Sequence, residues 1–391
     1  MAAEPHHHAQ PELPPRVFSR TAVIASCAAF VLIGALQAFY GPAIPGLRPR
    51  FGLSPAAAGL ALSAHFAGGV AGVLLFDRIY GRVGNRIVLA GSHLLMAAGA
   101  AGFALAPSWP PALACALIAG LGFGGIDYGL NQLFAVAFGN RSTAMLNILN
   151  AHFGIGAILG PVLVGAVGAQ HYTVVFWAFA LACLPLAFCL SGVRDTPREP
   201  AGSTATGART RSLAAVLGVF VLLYVLHVGI EAGVGGWEPT HLETIGYGAG
   251  LAATATSVYW LMMTLGRFLV APLALRYSAQ QIIAVACTGM TACLLLASIR
   301  PLAPFAYAGV GLFIAPIFPT GLPWLNRAAP RARAAGALVI AASMVGGVAA
   351  GPVLGSAIEQ AGIRSVPLIL GAVSVGCLAA TVWLVRAAKE A

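Results

Sequence analysis

Charged side chains are scarce in this chain. They make up 8% of its 391 residues, and only 11 residues are acidic. Soluble domains carry about 25% charged residues, so a chain this poor in charge lacks the polar surface needed to face water. Hydrophobic residues reach 59%, and the mean hydropathy is +0.88. We therefore expect lipid rather than water to surround most of the molecule.

The chain also lacks the motifs of several catalytic classes. It contains no Gly-rich phosphate loop followed by Lys and Ser or Thr, which argues against ATP hydrolysis, and no serine-nucleophile motif. Its seven cysteines lie inside apolar runs without metal-ligand spacing. We expect a protein that is not an enzyme and has neither a metal site nor a resident cofactor.

The apolar runs predict membrane-spanning helices. In lipid, backbone N–H and C=O groups must pair within the protein, so only helices and closed barrels can span. The runs are about 20 residues long, as a bilayer core of about 30 Å requires of a helix, and they do not alternate in polarity. They predict an all-α membrane protein with twelve transmembrane helices at 21–43, 55–77, 87–106, 111–137, 146–168, 172–192, 212–235, 250–273, 280–299, 303–325, 333–357 and 365–386.

The longest polar interruption lies near the middle of the chain. Residues 193–211 are rich in Arg, Pro, Gly and Thr, which predicts a cytoplasmic linker. The linker would separate a six-helix bundle at 21–192 from a second at 212–386. Residues 1–20 and 387–391 are predicted to be cytoplasmic tails.

Basic residues predict the orientation. If both termini are cytoplasmic, 17 of the 21 Lys and Arg residues lie inside, and Arg48, Arg50, Arg300 and Arg364 lie outside. This asymmetry explains the net charge of +10 better than nucleic-acid binding does. We expect a monomer in a bacterial inner (plasma) membrane, with lipid and a small solute as its partners and no nucleic acid.

The two halves resemble each other. GAILGPVLVGAV at 156–167 aligns with GVAAGPVLGSAI at 347–358, and Gly72 meets Gly266 at a similar offset. The repeat runs in the same direction, which predicts two pseudo-symmetric bundles related by an axis along the membrane normal.

Six plus six spans around a central linker resemble the major facilitator superfamily. That family's G-x-x-x-D-R-x-G-R-R loop is similar to DRIYGRVGNR after the second span, where Arg82, Gly84 and Arg86 match. Gly81 stands where the family usually has Asp, and Asp77 stands where it has Gly. The resemblance implies a conformational loop in which Asp77 supplies the acid one turn earlier.

Three further segments resemble the fucose-permease branch of that superfamily. They are GGIDYGLN at 124–131, LNILNAHFG at 146–154 and GIEAGVGGWEPT at 229–240. This resemblance implies a sugar-like solute that binds between the two bundles.

Asp127 and Glu231 are the acids that lie well inside predicted spans. An ionisable side chain there costs about 3 kcal/mol on insertion scales, so it usually faces a cavity or a partner. Asp127 and Asn131 share one face of the fourth span. The alternative for Asp127 is a purely structural role, as an ion pair with a cytoplasmic Arg or a hydrogen bond with an Asn on the fifth span.

The seventh span carries Tyr224, His227 and Glu231 on one face. By the repeat offset, Glu231 stands opposite Gln37 of the first span, so a carboxylate and an amide could hold a hydroxylated solute between them. The alternative for Glu231 is a hydrogen bond to a tyrosine or to the backbone.

Further candidates for contact with the solute are Asn150, His152 and Trp260. Packing is the alternative for the histidine and the tryptophan, and capping of the fifth span is the alternative for Asn150. Arg267, near the inner end of the eighth span, could bind an anionic solute, but we expect it to snorkel or to pair on the cytoplasmic side.

These residues predict a secondary transporter that takes up a sugar or a similar polar solute together with a proton. Burial disfavours the charged form of a carboxylic acid, so Glu231 and Asp127 are the predicted proton carriers. The runner-up is a proton-coupled efflux antiporter with a more apolar, aromatic cleft. A receptor or scaffold and an intramembrane enzyme are weaker alternatives. The same residues are compatible with Na⁺ in place of H⁺ as the coupling ion.

Overall fold

The computed structural model describes residues 17–53, 55–79, 82–190, 193, 207–329 and 335–390. In this part of the chain the regular structure is helical, apart from one bridge between Phe18 and Val193. Its α-helices are α1 (Arg20–Phe51), α2 (Pro55–Ile79), α3 (Asn85–Leu105), α4 (Trp109–Ala137), α5 (Ser142–Val167), α6 (Tyr172–Cys189), α7 (Gly207–Thr244), α8 (Ala249–Leu273), α9 (Ala279–Leu296), α10 (Ala303–Ile314), α11 (Ile317–Ala328), α12 (Ala335–Ala361) and α13 (Val366–Glu390).

Each predicted interval overlaps a helix, but several helices are longer than the apolar run that predicted them. α1 begins after Ser19, whose hydroxyl accepts a hydrogen bond from the Ala22 N–H, and ends at Gly52, which has a φ of 65°. α7 begins at Gly207, inside the predicted linker, and α13 runs through most of the predicted C-terminal tail. Arg and Lys are good helix formers, so a helix can continue where its apolar run stops.

The predicted span at 303–325 lies within one apolar helical segment, Arg300–Ala328. Its helical hydrogen bonding is interrupted between α10 and α11, at Ala315 and Pro316, although both residues keep right-handed helical angles. Proline has no backbone N–H and its ring clashes with the preceding turn. Pro316 and Pro319 therefore remove two donors within one turn.

The outer surface of the molecule is apolar. Large hydrophobic side chains such as Ile24, Phe188 and Phe305 are 70%, 75% and 79% exposed. Ten helical segments of the described residues are long and apolar enough to cross a bilayer. An apolar surface of this extent is stable in lipid and not in water, so this is a multi-pass membrane protein.

The helices form two sets. α1 packs on α5, α2 on α4, and α3 on α4 and α6, while α7 packs on α12 and α13, and α8 and α9 pack on α10. The main contacts between the sets are α5 with α8 and α2 with α12. α11 also contacts α4 and α5 from across the boundary, and the Asn147 amide donates to the Thr320 hydroxyl over 3.1 Å.

Corresponding glycines allow the same helix crossing in both sets. Gly120 of α4 lies so close to α2 that a Cβ there would overlap the carbonyl oxygen of His65. Gly311 of α10 has the same relation to the carbonyl oxygen of Tyr259 on α8. Small residues let membrane helices approach closely. His65 and Tyr259 are 194 positions apart, so the internal repeat is visible in the packing.

The α2–α4 crossing should therefore tolerate no side chain at position 120. We expect Gly120→Ala to destabilise the protein by about 1–3 kcal/mol, because backbone must move to admit the methyl group. The measurement is thermal unfolding of purified protein in detergent.

The matched control is Gly91→Ala, because no atom lies within 4 Å of a Cβ at that position. Alanine is the better helix former, so the control should melt at or above the wild-type temperature. Equal melting temperatures for the two variants would contradict the close crossing.

Candidate functional site

A cavity of about 490 Å³ lies between the two sets of helices. Cavities that bind small molecules measure about 300–1,000 Å³ and are mostly apolar with a few polar groups. The polar side chains that line this one are Gln37, Asp127, Asn150, His227, Glu231, Arg267 and Ser343. The aromatic side chains that line it are Phe66, Phe123, Phe153, Trp260 and Phe318.

The two halves place related positions on opposite walls of the cavity. Gln37 of α1 and Glu231 of α7 both line it and are 194 positions apart, and the same offset relates Phe66 of α2 to Trp260 of α8. The amide and the carboxyl group that the repeat relates therefore both line the cavity. Along α1 and α7 the lining extends from Gly34 to Pro42 and from His227 to Gly236.

Asp127 begins a chain of hydrogen bonds that crosses from one half to the other. Its carboxylate accepts from the Asn131 amide over 2.8 Å, and the Asn131 carbonyl oxygen accepts from the Asn150 amide over 2.8 Å. The backbone carbonyl of Asn150 then accepts from Nη1 of Arg267 over 2.8 Å. Asn131 and Arg267 are buried, with 0% and 4% exposure.

Arg267 is held by a helix break in its own half. Its Nε donates to the Ala315 carbonyl over 3.3 Å. In an unbroken helix this carbonyl would accept from the N–H of residue 319, but that residue is proline and has none. The carbonyl groups at a helix C-terminus favour a nearby cation. The break between α10 and α11 therefore provides a binding position for the buried guanidinium.

Glu231 lies on the α7 wall, and its side chain is 15% exposed. Its carboxyl oxygen is 3.7 Å from Nε2 of His227, and its backbone carbonyl accepts from the Tyr259 hydroxyl over 3.4 Å. Both ring nitrogens of His227 are buried without a hydrogen-bond partner. Asp127, Glu231 and Arg267 are close enough to influence one another electrostatically.

Three predicted contact residues do not line the cavity. Asn131 lies behind Asp127 and Asn150. Tyr224 is fully buried, and its hydroxyl donates to the Phe318 carbonyl over 2.7 Å. His152 binds the Ile148 carbonyl over 2.7 Å, and its ring packs against Phe268.

The residues of the predicted conformational loop lie at the ends of α2 and α3. Asp77 accepts a hydrogen bond from the Tyr128 hydroxyl over 2.7 Å. Gly84 is the N-cap of α3, and Arg82 and Arg86 are exposed. Among the described residues no ion pair joins Asp77 to either arginine, and residues 80–81 lie outside the described part.

The sequence profile of the Major Facilitator Superfamily matches residues 26–310. The chain belongs to the Major Facilitator Superfamily. As a major facilitator it is a membrane transporter and not an enzyme.

Two glucose transporters are similar to this major facilitator in sequence. The sodium-dependent glucose transporter 1A of Mus musculus is 23% identical over 389 residues, which cover 88% of this chain and 90% of the mouse protein. The sodium-dependent glucose transporter 1 of Rattus norvegicus is 35% identical over 145 residues, and this match spans only 28% of the rat protein.

Solved structures share the fold at low sequence identity. FucP in the outward conformation has a TM-score of 0.77 and 18% identity over 93% of this chain and 99% of that one. The proton:xylose symporter XylE has a TM-score of 0.75 and 16% identity over 94% of this chain and 95% of that one. The human organic anion transporter MFSD10 has a TM-score of 0.69 and 16% identity over 94% of this chain and 100% of that one.

Arg267 is the cavity residue that sequence reasoning misplaced. Instead of snorkelling to the cytoplasmic side, it is buried at the seam between the halves. The sequence contains a feature from which this position of Arg267 could have been predicted. Pro316 and Pro319 lie within one turn, so carbonyl groups of the tenth span had to find donors elsewhere.

Removal of this guanidinium should be costly. We expect Arg267→Gln to destabilise the protein by about 3–5 kcal/mol, because the change leaves buried acids without their counter-charge and the Ala315 carbonyl without its donor. Thermal unfolding in detergent measures the effect.

Arg276→Gln is the matched control, because Arg276 is exposed just beyond the same helix. Surface substitutions of this kind usually change stability by less than about 0.5 kcal/mol. An Arg267→Gln protein as stable as this control would show that the guanidinium is not held as described.

Proposed function

We propose that this major facilitator is a secondary active transporter that takes up a sugar or a similar polar solute together with a proton, by alternating access. The observation that supports the proposal is the cavity between the halves, which is lined by Glu231 and Gln37 and in which Asp127 lies within electrostatic range of Arg267. The expected ligands are the solute and a coupling proton, with no resident cofactor.

The proposal includes twelve membrane crossings, with α10 and α11 as the two parts of the tenth. α8 and α12 have 25 and 27 residues and would span as well. Both termini would lie in the cytoplasm of a bacterium, with the protein acting as a monomer in its inner membrane. The orientation is supported by the excess of Lys and Arg on the side of the termini. Arg50, one of the few basic residues that this orientation places outside, bonds to the Ala106 carbonyl and the Tyr172 hydroxyl.

The chemistry of the cavity suits a hydroxylated solute. The Gln37 amide both donates and accepts hydrogen bonds, and the Glu231 carboxylate accepts. Trp260 and Phe66 offer flat apolar surfaces on opposite walls. In further support, the mouse relative is named a sodium-dependent glucose transporter, and FucP and XylE are named fucose:proton and proton:xylose symporters.

The charges of the cavity motivate proton coupling. If Asp127 and Glu231 are both ionised, one guanidinium balances only one of two carboxylates, and the remaining charge is costly away from bulk water. Binding of one proton makes the set neutral. The proton would therefore be bound before the cavity closes around an uncharged solute.

The closed side of the cavity suits an outward-facing state. α11 contacts α4 and α5, and the bond from Asn147 to Thr320 joins the halves on the side of the chain termini. The transition to the inward-facing state would break this bond and the Arg267 bond to Asn150, while the outer parts of α1 and α7 approach each other.

Neutral substitutions of the two acids should abolish coupling to protons without abolishing exchange of the solute. We expect Glu231→Gln and Asp127→Asn to abolish accumulation driven by a pH gradient in proteoliposomes. Exchange of labelled solute should continue, because it needs no net proton movement. If both variants still accumulate solute, neither acid couples. Glu243→Gln is the control, since Glu243 is exposed on the same helix as Glu231.

Binding of the solute should stabilise the purified protein. We expect glucose, fucose or xylose to raise its melting temperature, because a ligand that binds only the native state at 100 times its Kd stabilises that state by about 2.7 kcal/mol. Trp260→Ala should reduce this shift, whereas Trp383→Ala should not, because Trp383 is 41% exposed on the outer surface. No shift with any of the three sugars would argue against the proposed solute class.

A proton-coupled efflux antiporter is the second candidate, and the five aromatic side chains in the cavity favour it. The direction of proton flow distinguishes the two. In vesicles with the outer face exposed, external solute makes the medium more alkaline for a symporter and more acidic for an antiporter.

A further inference from the structure

A third acid, Glu238, lies in α7 two residues beyond Gly236, the last residue of that helix that lines the cavity. Glu238 has 0% exposure, and both of its carboxyl oxygens are buried without a hydrogen-bond partner in the described residues. Asp127 and Glu231 line the cavity, but Glu238 does not. The transport mechanism proposed above does not use it.

Among the described residues, the neighbours of Glu238 include polar groups but no fixed positive charge. The Thr256 hydroxyl of α8 lies nearby, although it donates to the Ala252 carbonyl over 3.3 Å. The hydroxyl groups of Tyr259 on α8 and Tyr307 on α10 lie within electrostatic range of the carboxyl group. Tyr307 is bonded in turn to Nδ1 of His241, one turn further along α7, over 3.0 Å.

An ionised carboxylate is not stable in this environment. An isolated buried charge costs far more than a buried neutral group, so a carboxyl group in such a place takes up a proton. A hard metal ion would need several oxygen ligands, and the described groups around Glu238 supply few.

The fold itself does not require a carboxyl group at this junction. By the repeat offset, the position of Glu238 corresponds to Ile44 of the first half. Tyr307 and His241 correspond to Ala116 and Leu47, which are buried and apolar, whereas Tyr259 corresponds to His65. The equivalent positions of the other bundle therefore hold no acid.

We propose that Glu238 is a proton-binding site, separate from the acids of the cavity and occupied in this conformation. Tyr259 connects it to the cavity, since its hydroxyl donates to the Glu231 carbonyl while its ring lies near both acids. Glu238 and Glu231 are two helical turns apart on the same face of α7. To pass a proton between the two carboxyl groups, the Tyr259 hydroxyl would have to turn away from the Glu231 backbone carbonyl.

Infrared spectroscopy of the purified full-length protein tests the site directly. At neutral pH a protonated carboxylic acid shows a carbonyl stretching band that an ionised carboxylate lacks. We expect this band to lose one component in Glu238→Gln and to be unchanged in Glu243→Gln, the exposed acid of the same helix. Absorbance in Glu238→Gln equal to that of the wild type would overturn the proposal.

Two further arms distinguish proton binding from misfolding and from metal binding. Glu238→Asp keeps a carboxylic acid and should keep a component, which a misfolded variant would not do. Replacement of choline chloride by sodium chloride at constant ionic strength should leave the wild-type band unchanged. Loss of the band with sodium would show that the site holds a metal cation, and would overturn the proton as its occupant.

The role of this proton in transport rests on the proposed function. Proton binding at Glu238 and the proposed coupling are nevertheless tested by different measurements, so either can fail without the other. In proteoliposomes, Glu238→Gln should retain solute exchange but lose most of the dependence of uptake on external pH. If the infrared component is lost while wild-type uptake needs no pH gradient, Glu238 binds a proton and the proposed coupling is wrong. If Glu238→Gln keeps the pH dependence of the wild type, the proton at Glu238 has no part in transport, and the inferred role of Glu238 in coupling is wrong.

Discussion

A buried guanidinium at the seam between the two bundles is the constraint on which the rest of the structure depends. A charge out of contact with water needs counter-charges and acceptors within a few ångströms, and Arg267 finds them in both halves. It donates to backbone carbonyls of Asn150 and Ala315, and it lies near Asp127 and Glu231. The cavity, the polar chain on α4 and α5 and the broken tenth span all meet at this one side chain.

The two halves share a helix arrangement but differ in the polar side chains that they place at the cavity. Glycines at corresponding positions let the helices cross in the same way, so the walls of the cavity are related by the internal repeat. At corresponding positions of this arrangement, one half has Gln37 and the other has Glu231. In the proposed mechanism, the symmetry of the backbone would allow two similar bundles to move against each other, while the difference in side chains would give the solute a single binding orientation.

Much of the fold followed from elementary properties of the sequence. Apolar runs of about 20 residues located the helices, and the internal repeat paired Gln37 with Glu231. The helix break was missed because hydropathy does not register proline chemistry. Arg267 was misplaced for the same reason, since its partners are backbone carbonyls that no side-chain pattern reveals. Tyr224 was expected at the cavity because it shares a helical face with Glu231, but periodicity does not tell which neighbour a face meets, and here α11 covers it.

The proline at position 319 has a consequence that extends beyond its own helix. Any other residue there would restore an N–H that competes with Arg267 for the Ala315 carbonyl. The effect of a substitution at position 267 on stability should therefore depend on whether the residue at position 319 has an N–H.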